Sequence, residues 1–239
     1  MVNSAEERGF TLYGGLDPAN LARYTRVDAS RATGVPASTI GVWVHGMPYT
    51  SRKGVRGRYE SVVTLPDAHD PRLSFNNLLE VNVLRALRAV HEVKLQSVRA
   101  AMENAKRDHG IDRLLLHPNL RTSGGALFLD YYFQLVDLSN SKQLAMRAML
   151  EHSLARVEVN QELRVLNFFP FPRHMSGDTR PILVSPYVSF GTAIIERRGI
   201  STSAIASRVD SGENKAAILA DYGLTDDELK EALCYEVAA

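Results

Sequence analysis

Arg26-Val27-Asp28-Ala29-Ser30-Arg31-Ala32-Thr33-Gly34-Val35-Pro36-Ala37-Ser38-Thr39-Ile40-Gly41-Val42-Trp43-Val44 is the stretch that decides how this chain reads. Thr25–Thr33 reads as a short helix, Gly34-Val35-Pro36 as a turn, and Ala37–Val44 as a second helix that Gly46-Met47-Pro48 ends, because proline cannot continue it. Ala29 is small enough to let two helices approach, Gly34 permits a positive-φ turn, and Val35, Ile40, Trp43 and Val44 pin the second helix. Ser38, Thr39 and Val42 are left on its outward, N-terminal part. This is the spacing of a helix-turn-helix, and those three positions are where base edges would be read.

Working outward, Arg52, Lys53, Arg56 and Arg58 follow around Gly54 and Gly57 and lead into a β-prone run, Tyr59–Val63. That reads as a basic hairpin beside a recognition helix, the arrangement phosphate contact needs. Arg26 and Arg31 add to the same positive stretch. The alternative is a helical hairpin that packs only against protein, and the adjoining run of cations favours DNA.

The charge is polarised along the chain. Net charge over the 239 residues is +1. Between Leu21 and Glu60, however, seven basic residues face only Asp28 and Glu60, whereas between Ser201 and Ala239 eight acids face Arg208, Lys215 and Lys230. One end is built to meet anions and the other is not.

Beyond Pro71 two helices are expected, one with Leu78, Leu79, Leu84 and Leu87 near one face and one with Leu95, Val98, Met102 and Ala105, closed by Gly110. Leu127–Val136 alternates like a strand, and Phe128–Val136 reads either as a core strand or as a dimer surface. A helix from Lys142 to His152, a hairpin of Arg156–Val159 with Leu163–Phe168, and a linker at Pro170–Asp178 follow. The tail reads as an extended Ile182–Val184 and three short helices; Gly223 stands at a C-cap, and Thr225 with Glu228 have capping-box spacing. The expected fold class is therefore mainly α with small β elements: an N-terminal winged helix-turn-helix with a helix pair (1–122), an α+β connector and possible dimerisation region (123–178), and a C-terminal three-helix, helix-turn-helix-like module (179–239).

Enzymatic chemistry finds little support. The seven histidines never pair at metal-binding helical spacing, and Tyr13-Gly14-Gly15 and Ser123-Gly124-Gly125 fit neither a phosphate loop nor a dinucleotide fingerprint. The one cysteine, Cys234, has Glu231 and Glu236 nearby, which would raise rather than lower a thiol pKa. No catalytic residue, metal site or cofactor is expected. A single thiol and the lack of an 18-residue apolar run point to a cytoplasmic protein with no membrane partner.

The first 120 residues resemble the MerR-like winged helix, through the helix-turn-helix, the basic wing and the helix pair around Leu84-Arg85-Ala86-Leu87-Arg88 and Val93-Lys94-Leu95-Gln96-Ser97-Val98-Arg99. The tail resembles a family of helical domains of uncharacterised function often found in toxin–antitoxin genes, through Arg180-Pro181-Ile182-Leu183-Val184-Ser185-Pro186, Phe190-Gly191, Gly199-Ile200-Ser201-Thr202, Ala220-Asp221-Tyr222-Gly223-Leu224 and Glu231-Ala232-Leu233-Cys234-Tyr235-Glu236. A chain with both parts resembles a VapB-type antitoxin. MerR recognition helices commonly carry an arginine and aromatics, whereas this one has Ile40-Gly41-Val42-Trp43, in which Gly41 costs about 1 kcal/mol relative to alanine. There is also no cysteine set for metal sensing, so that role does not carry over.

The resemblance implies a non-enzymatic antitoxin that neutralises a VapC-type PIN-domain ribonuclease and, as a homodimer, binds operator DNA to regulate its own transcription. Toxin contact falls within 180–239. Either the acidic tail meets a basic rim of the nuclease, or Arg197 and Arg198 reach its carboxylates. The rival reading is a stand-alone dimeric transcription regulator with no toxin partner.

Overall fold

A computed structural model of the chain describes residues 12–50, 54–89, 94–111, 113–116, 132–133, 140–162 and 164–238. The fold is mainly α with small antiparallel sheets. Its contacts divide it into two units: Met1–Ala37 with Pro66–Phe75 and Arg156–Ala239, and Ser38–Leu65 with Asn76–Ala155.

The second unit takes in α2 (Ala37–His45), the hairpin of β1 (Met47–Thr50) and β2 (Arg56–Tyr59), α3 (Phe75–Ala89), α4 (Leu95–His109) and α5 (Asn140–Leu154). Leu78, Leu79, Val81, Val83, Leu84 and Leu87 of α3 are all buried, and so are Asn77, Glu80 and Asn82. A helix buried nearly all round must satisfy its polar groups internally. Asn77 donates to the Thr64 carbonyl (2.9 Å) and to Glu80 (2.7 Å), and Glu80 accepts from Nε and Nη2 of Arg113 at 2.9 and 2.8 Å. Gly110 closes α4 in the left-handed conformation, as expected from its place.

The expected strand Leu127–Val136 lies outside the described residues except for Tyr132 and Phe133, and these are helical, not extended.

The first unit holds α1 (Arg26–Thr33), the hairpin of β3 (Val157–Val159) and β4 (Val165–Phe168), a sheet ordered β5 (Ile182–Leu183), β6 (Ile194–Ile195), β7 (Ile200–Ser201), and the helices α6 (Thr202–Asp210), α7 (Lys215–Tyr222) and α8 (Asp226–Val237). Reciprocal bonds between Phe168 and Val184, both 2.9 Å, join hairpin to sheet. The tail helices start and stop where their caps dictate: Thr225 and Glu228 form both bonds of a capping box, and Gly223 is left-handed at φ 60°. α8 packs on both α6 and α1.

Pro170–Asp178, expected as a linker, is tied down within the first unit. Arg156, only 3% exposed, donates to the carbonyls of Phe169 (2.9 Å), Pro170 (2.7 Å) and Thr179 (2.9 Å). On the other side, the backbone N–H groups of Arg173, His174 and Met175 all donate to the carboxylate of buried Glu231, at 2.8, 2.7 and 2.9 Å. A buried cation and a buried anion each find a loop's worth of backbone partners, so the proline-rich composition here marks an anchored turn.

Candidate nucleic-acid interface

α2 has two clear sides. Ile40, Gly41, Trp43 and Val44 are buried. Ser38 and His45 are exposed, and Thr39 and Val42 half-buried. Ser38, Val42 and His45 are spaced four and three apart, so they share one helical face, with Thr39 beside it. Gly41 thus sits on the packed side.

The C-terminal end of α2 is bound to the hairpin. The Trp43 carbonyl accepts from the N–H groups of Val62 (2.7 Å) and Val63 (3.1 Å), and the His45 carbonyl accepts from the Arg58 guanidinium. Gly46 makes the turn at φ 70°, and a Cβ there would lie 2.1 Å from the Tyr59 carbonyl oxygen. Only glycine fits a position that is both left-handed and in contact with backbone. The turn fixes the register as Met47↔Tyr59, Pro48↔Arg58, Tyr49↔Gly57 and Thr50↔Arg56. The second strand therefore ends at Tyr59 rather than beginning there, and Val62 and Val63 are buried and serve as caps for α2.

On the hairpin, Tyr49 and Tyr59 stack at 4.4 Å, both rings exposed, and the Tyr49 ring lies over Gly57, where a Cβ would come within 2.6 Å of it. Arg56 and Arg58 are exposed on β2. Arg52 and Lys53 lie outside the described residues. From α4, half-buried Arg99 experiences Glu60 and Tyr59 at the foot of β2; burial lowers its pKa, and those two groups with Glu103 oppose the shift. Sequence reasoning missed the tyrosine pair and His45. The i, i+4, i+7 spacing from Ser38 would have found His45, while the tyrosines meet only through hairpin register.

In the first unit, Arg26 is exposed on the opening turn of α1. Arg31 is differently placed: it pairs with Glu236 at 3.1 Å, and its carbonyl accepts from Arg173 at 2.8 Å. Asp28, the one acid of the quoted stretch, closes a capping box with Thr25.

The tail's acids are mostly committed to holding its own helices. Arg197 makes a two-point pair with Glu228 (2.8 and 2.7 Å), and Arg197 and Arg198 both donate to the Gly223 carbonyl at the end of α7. The Arg197 bond holds the Glu228 carboxyl below its ordinary range, against the opposing effect of burial. Arg208 binds Glu213 and Asp221 and lies 4.7 Å over the Tyr222 ring. Glu236 accepts from Thr202 as well as Arg31. The net negative charge is thus largely internal scaffolding. Among the described residues no group of His, Cys, Asp or Glu is arranged to hold a metal, and no helix is long and apolar enough to cross a membrane.

The order of elements, two short helices with a glycine between them, a hairpin, a helix pair and a helical tail, is consistent with an N-terminal helix-turn-helix and a C-terminal helical module. Residues 22–102 match a family described as a putative DNA-binding HTH domain, and residues 182–235 match a family described as a protein of unknown function, DUF433. The chain is similar, at 23% identity over 225 residues, to the putative antitoxin VapB45 of Mycobacterium tuberculosis; the similarity covers 88% of this chain and 92% of that protein. The crystal structure of Rv2018 from Mycobacterium tuberculosis shares the fold, with a TM-score of 0.60 and 21% identity over 89% of this chain and 98% of the other. The VapB-type resemblance read from the motifs is thus the one the comparison finds.

Proposed function

We propose that the chain is the antitoxin of a type II toxin–antitoxin system, which neutralises a PIN-domain ribonuclease of the VapC type and binds operator DNA as a homodimer to regulate its own transcription. The observation that carries the DNA reading is the Ser38–Val42–His45 face of α2, exposed at Ser38 and His45 and half-buried at Val42, fastened through Gly46 and Arg58 to an arginine-bearing hairpin. A helix N-terminus with exposed small polar and apolar side chains suits base edges, and adjoining arginines suit phosphates. In this reading Ser38, Thr39 and Val42 meet bases, while Arg52, Lys53, Arg56, Arg58 and Arg26 meet phosphates. The antitoxin reading rests on the similarity to a relative of that name along nearly the whole chain. In this reading toxin contact falls within 180–239.

The test is a pull-down of the tagged full chain from its own cell after nuclease treatment, with bound proteins identified by mass spectrometry. A stoichiometric small ribonuclease supports the antitoxin reading. Recovery of the chain with only its own copies overturns it and leaves a stand-alone regulator. Removing the tail is a poor test, because α1 packs on α8 and would lose its support.

A further inference from the structure

A cleft of about 410 Å³ lies within the first unit, walled by the segment preceding α1, by α1 itself and by the turn that precedes β6. That volume is toward the small end of the range for ligand sites. Among the described residues, one of its lining groups is buried without a partner, and a second, exposed one makes a single neutral contact. Tyr24 is 7% exposed, and its hydroxyl has no hydrogen-bond partner among the described residues. Of the groups that act on it, the Arg23 guanidinium can only donate, and Tyr13 and Asp28 act through space without a hydrogen bond, so the phenol proton lacks an acceptor. Arg23 itself reaches only a neutral hydroxyl, Thr192 Oγ1 at 3.3 Å.

Both donors converge on Gly191. At φ 76° that residue already disfavours a side chain, and a Cβ there would lie 2.3 Å from the Tyr24 hydroxyl and 2.8 Å from Arg23 Nε. An unsatisfied buried hydroxyl costs free energy, and a cleft that presents one beside a guanidinium is short of an acceptor with negative charge. The other arginines of the cleft are neutralised, Arg31 by Glu236 and Arg72 by Asp70. Asp28 and Glu236 also line it, which disfavours a dianion. Leu21, Val184 and Pro186 supply an apolar wall.

We propose that this cleft binds a small organic carboxylate with a compact apolar body, its oxygens held by Arg23 and Tyr24 beside Gly191. Arg23 and Tyr24, the groups that would hold the ligand, are not among the residues assigned to DNA, so either reading can fail without the other. The test is fluorine NMR on the full chain with para-trifluoromethyl benzoate as the probe and the matching benzamide as the neutral control. Saturable binding of the benzoate is expected, about tenfold tighter than the benzamide, as charge-assisted bonds require. Tyr24→Phe and Arg23→Gln should each weaken it by about fivefold or more, and Tyr24→Phe should leave the melting temperature unchanged or raised, since it removes an unsatisfied group. No saturable binding, equal binding of the two probes, or a Tyr24→Phe protein that binds as well as the parent would each overturn the proposal.

Discussion

Glu231→Gln is the sharpest test of how the first unit holds together. The Glu231 carboxylate is 1% exposed and accepts from three successive backbone N–H groups: Arg173 on one oxygen, His174 and Met175 on the other. Glutamine has nearly the same shape but one acceptor oxygen. In its better orientation the carbonyl keeps His174 and Met175, and the new NH2 faces the Arg173 N–H, donor against donor. One charge-assisted bond, worth about 1.5–3 kcal/mol, is lost, and a part-buried N–H is stranded at a cost of about 1–2 kcal/mol more. The expected loss is about 2.5–5 kcal/mol, which for a chain of this size is a fall of about 5–20 °C in melting temperature. Thermal unfolding by circular dichroism measures it, and amide exchange should show the three donors losing protection together. A variant that melts within about 2 °C of the parent would refute the reasoning, because it would mean the loop does not depend on the buried anion.

Gly46→Ala should cost about 3 kcal/mol or more and abolish specific DNA binding, since its Cβ has no room against the Tyr59 carbonyl; unfolding and fluorescence anisotropy read the two effects. Arg56→Ala should leave stability within about 0.5 kcal/mol and lower the slope of log affinity against log salt by about one, the signature of a lost phosphate contact. Arg58→Ala should also lower the melting temperature, because that side chain caps α2. For pH, the Glu228 carboxyl is held below its ordinary value of 4.5 in the folded chain, chiefly by Arg197, so its contribution is present above that value and lost as pH falls through the lower folded value. Glu228→Gln should therefore flatten the acid limb of a stability–pH curve, and an unchanged limb counts against the pair.

How much was legible in advance follows from the range of each interaction. The two helices at Arg26–Thr33 and Ala37–His45, the end of α4 at Gly110 and the start of α8 at Thr225 were readable because caps, turns and apolar spacing act within four or five residues. The hairpin was readable, but its register was not. Propensity favoured Tyr59–Val63 as strand, while the Gly46 turn and the pull of Val62 and Val63 onto the Trp43 carbonyl fixed it three residues earlier. At the interface, Ser38, Thr39 and Val42 could be chosen from periodicity alone. The stacked Tyr49 and Tyr59 could not, since nothing local says that residues ten apart will touch.

Charge misled in a way that teaches the same lesson. A run of acids in the tail reads as a surface awaiting a cation, because sequence shows sign and not partner. In the fold, Glu228 meets Arg197, Glu231 meets three backbone donors, and Glu236 meets Arg31 from α1, some two hundred residues away in sequence. That last pair matters beyond bookkeeping of charge. It places one of the cations first assigned to DNA in the same unit as the C-terminal helix, so α1 owes part of its surroundings to the tail. A substitution on the Arg31-facing side of α8 should then disturb α1, and one on the outer faces of α6 and α7 should not. Variants of the second kind are the ones that can separate toxin contact from DNA binding.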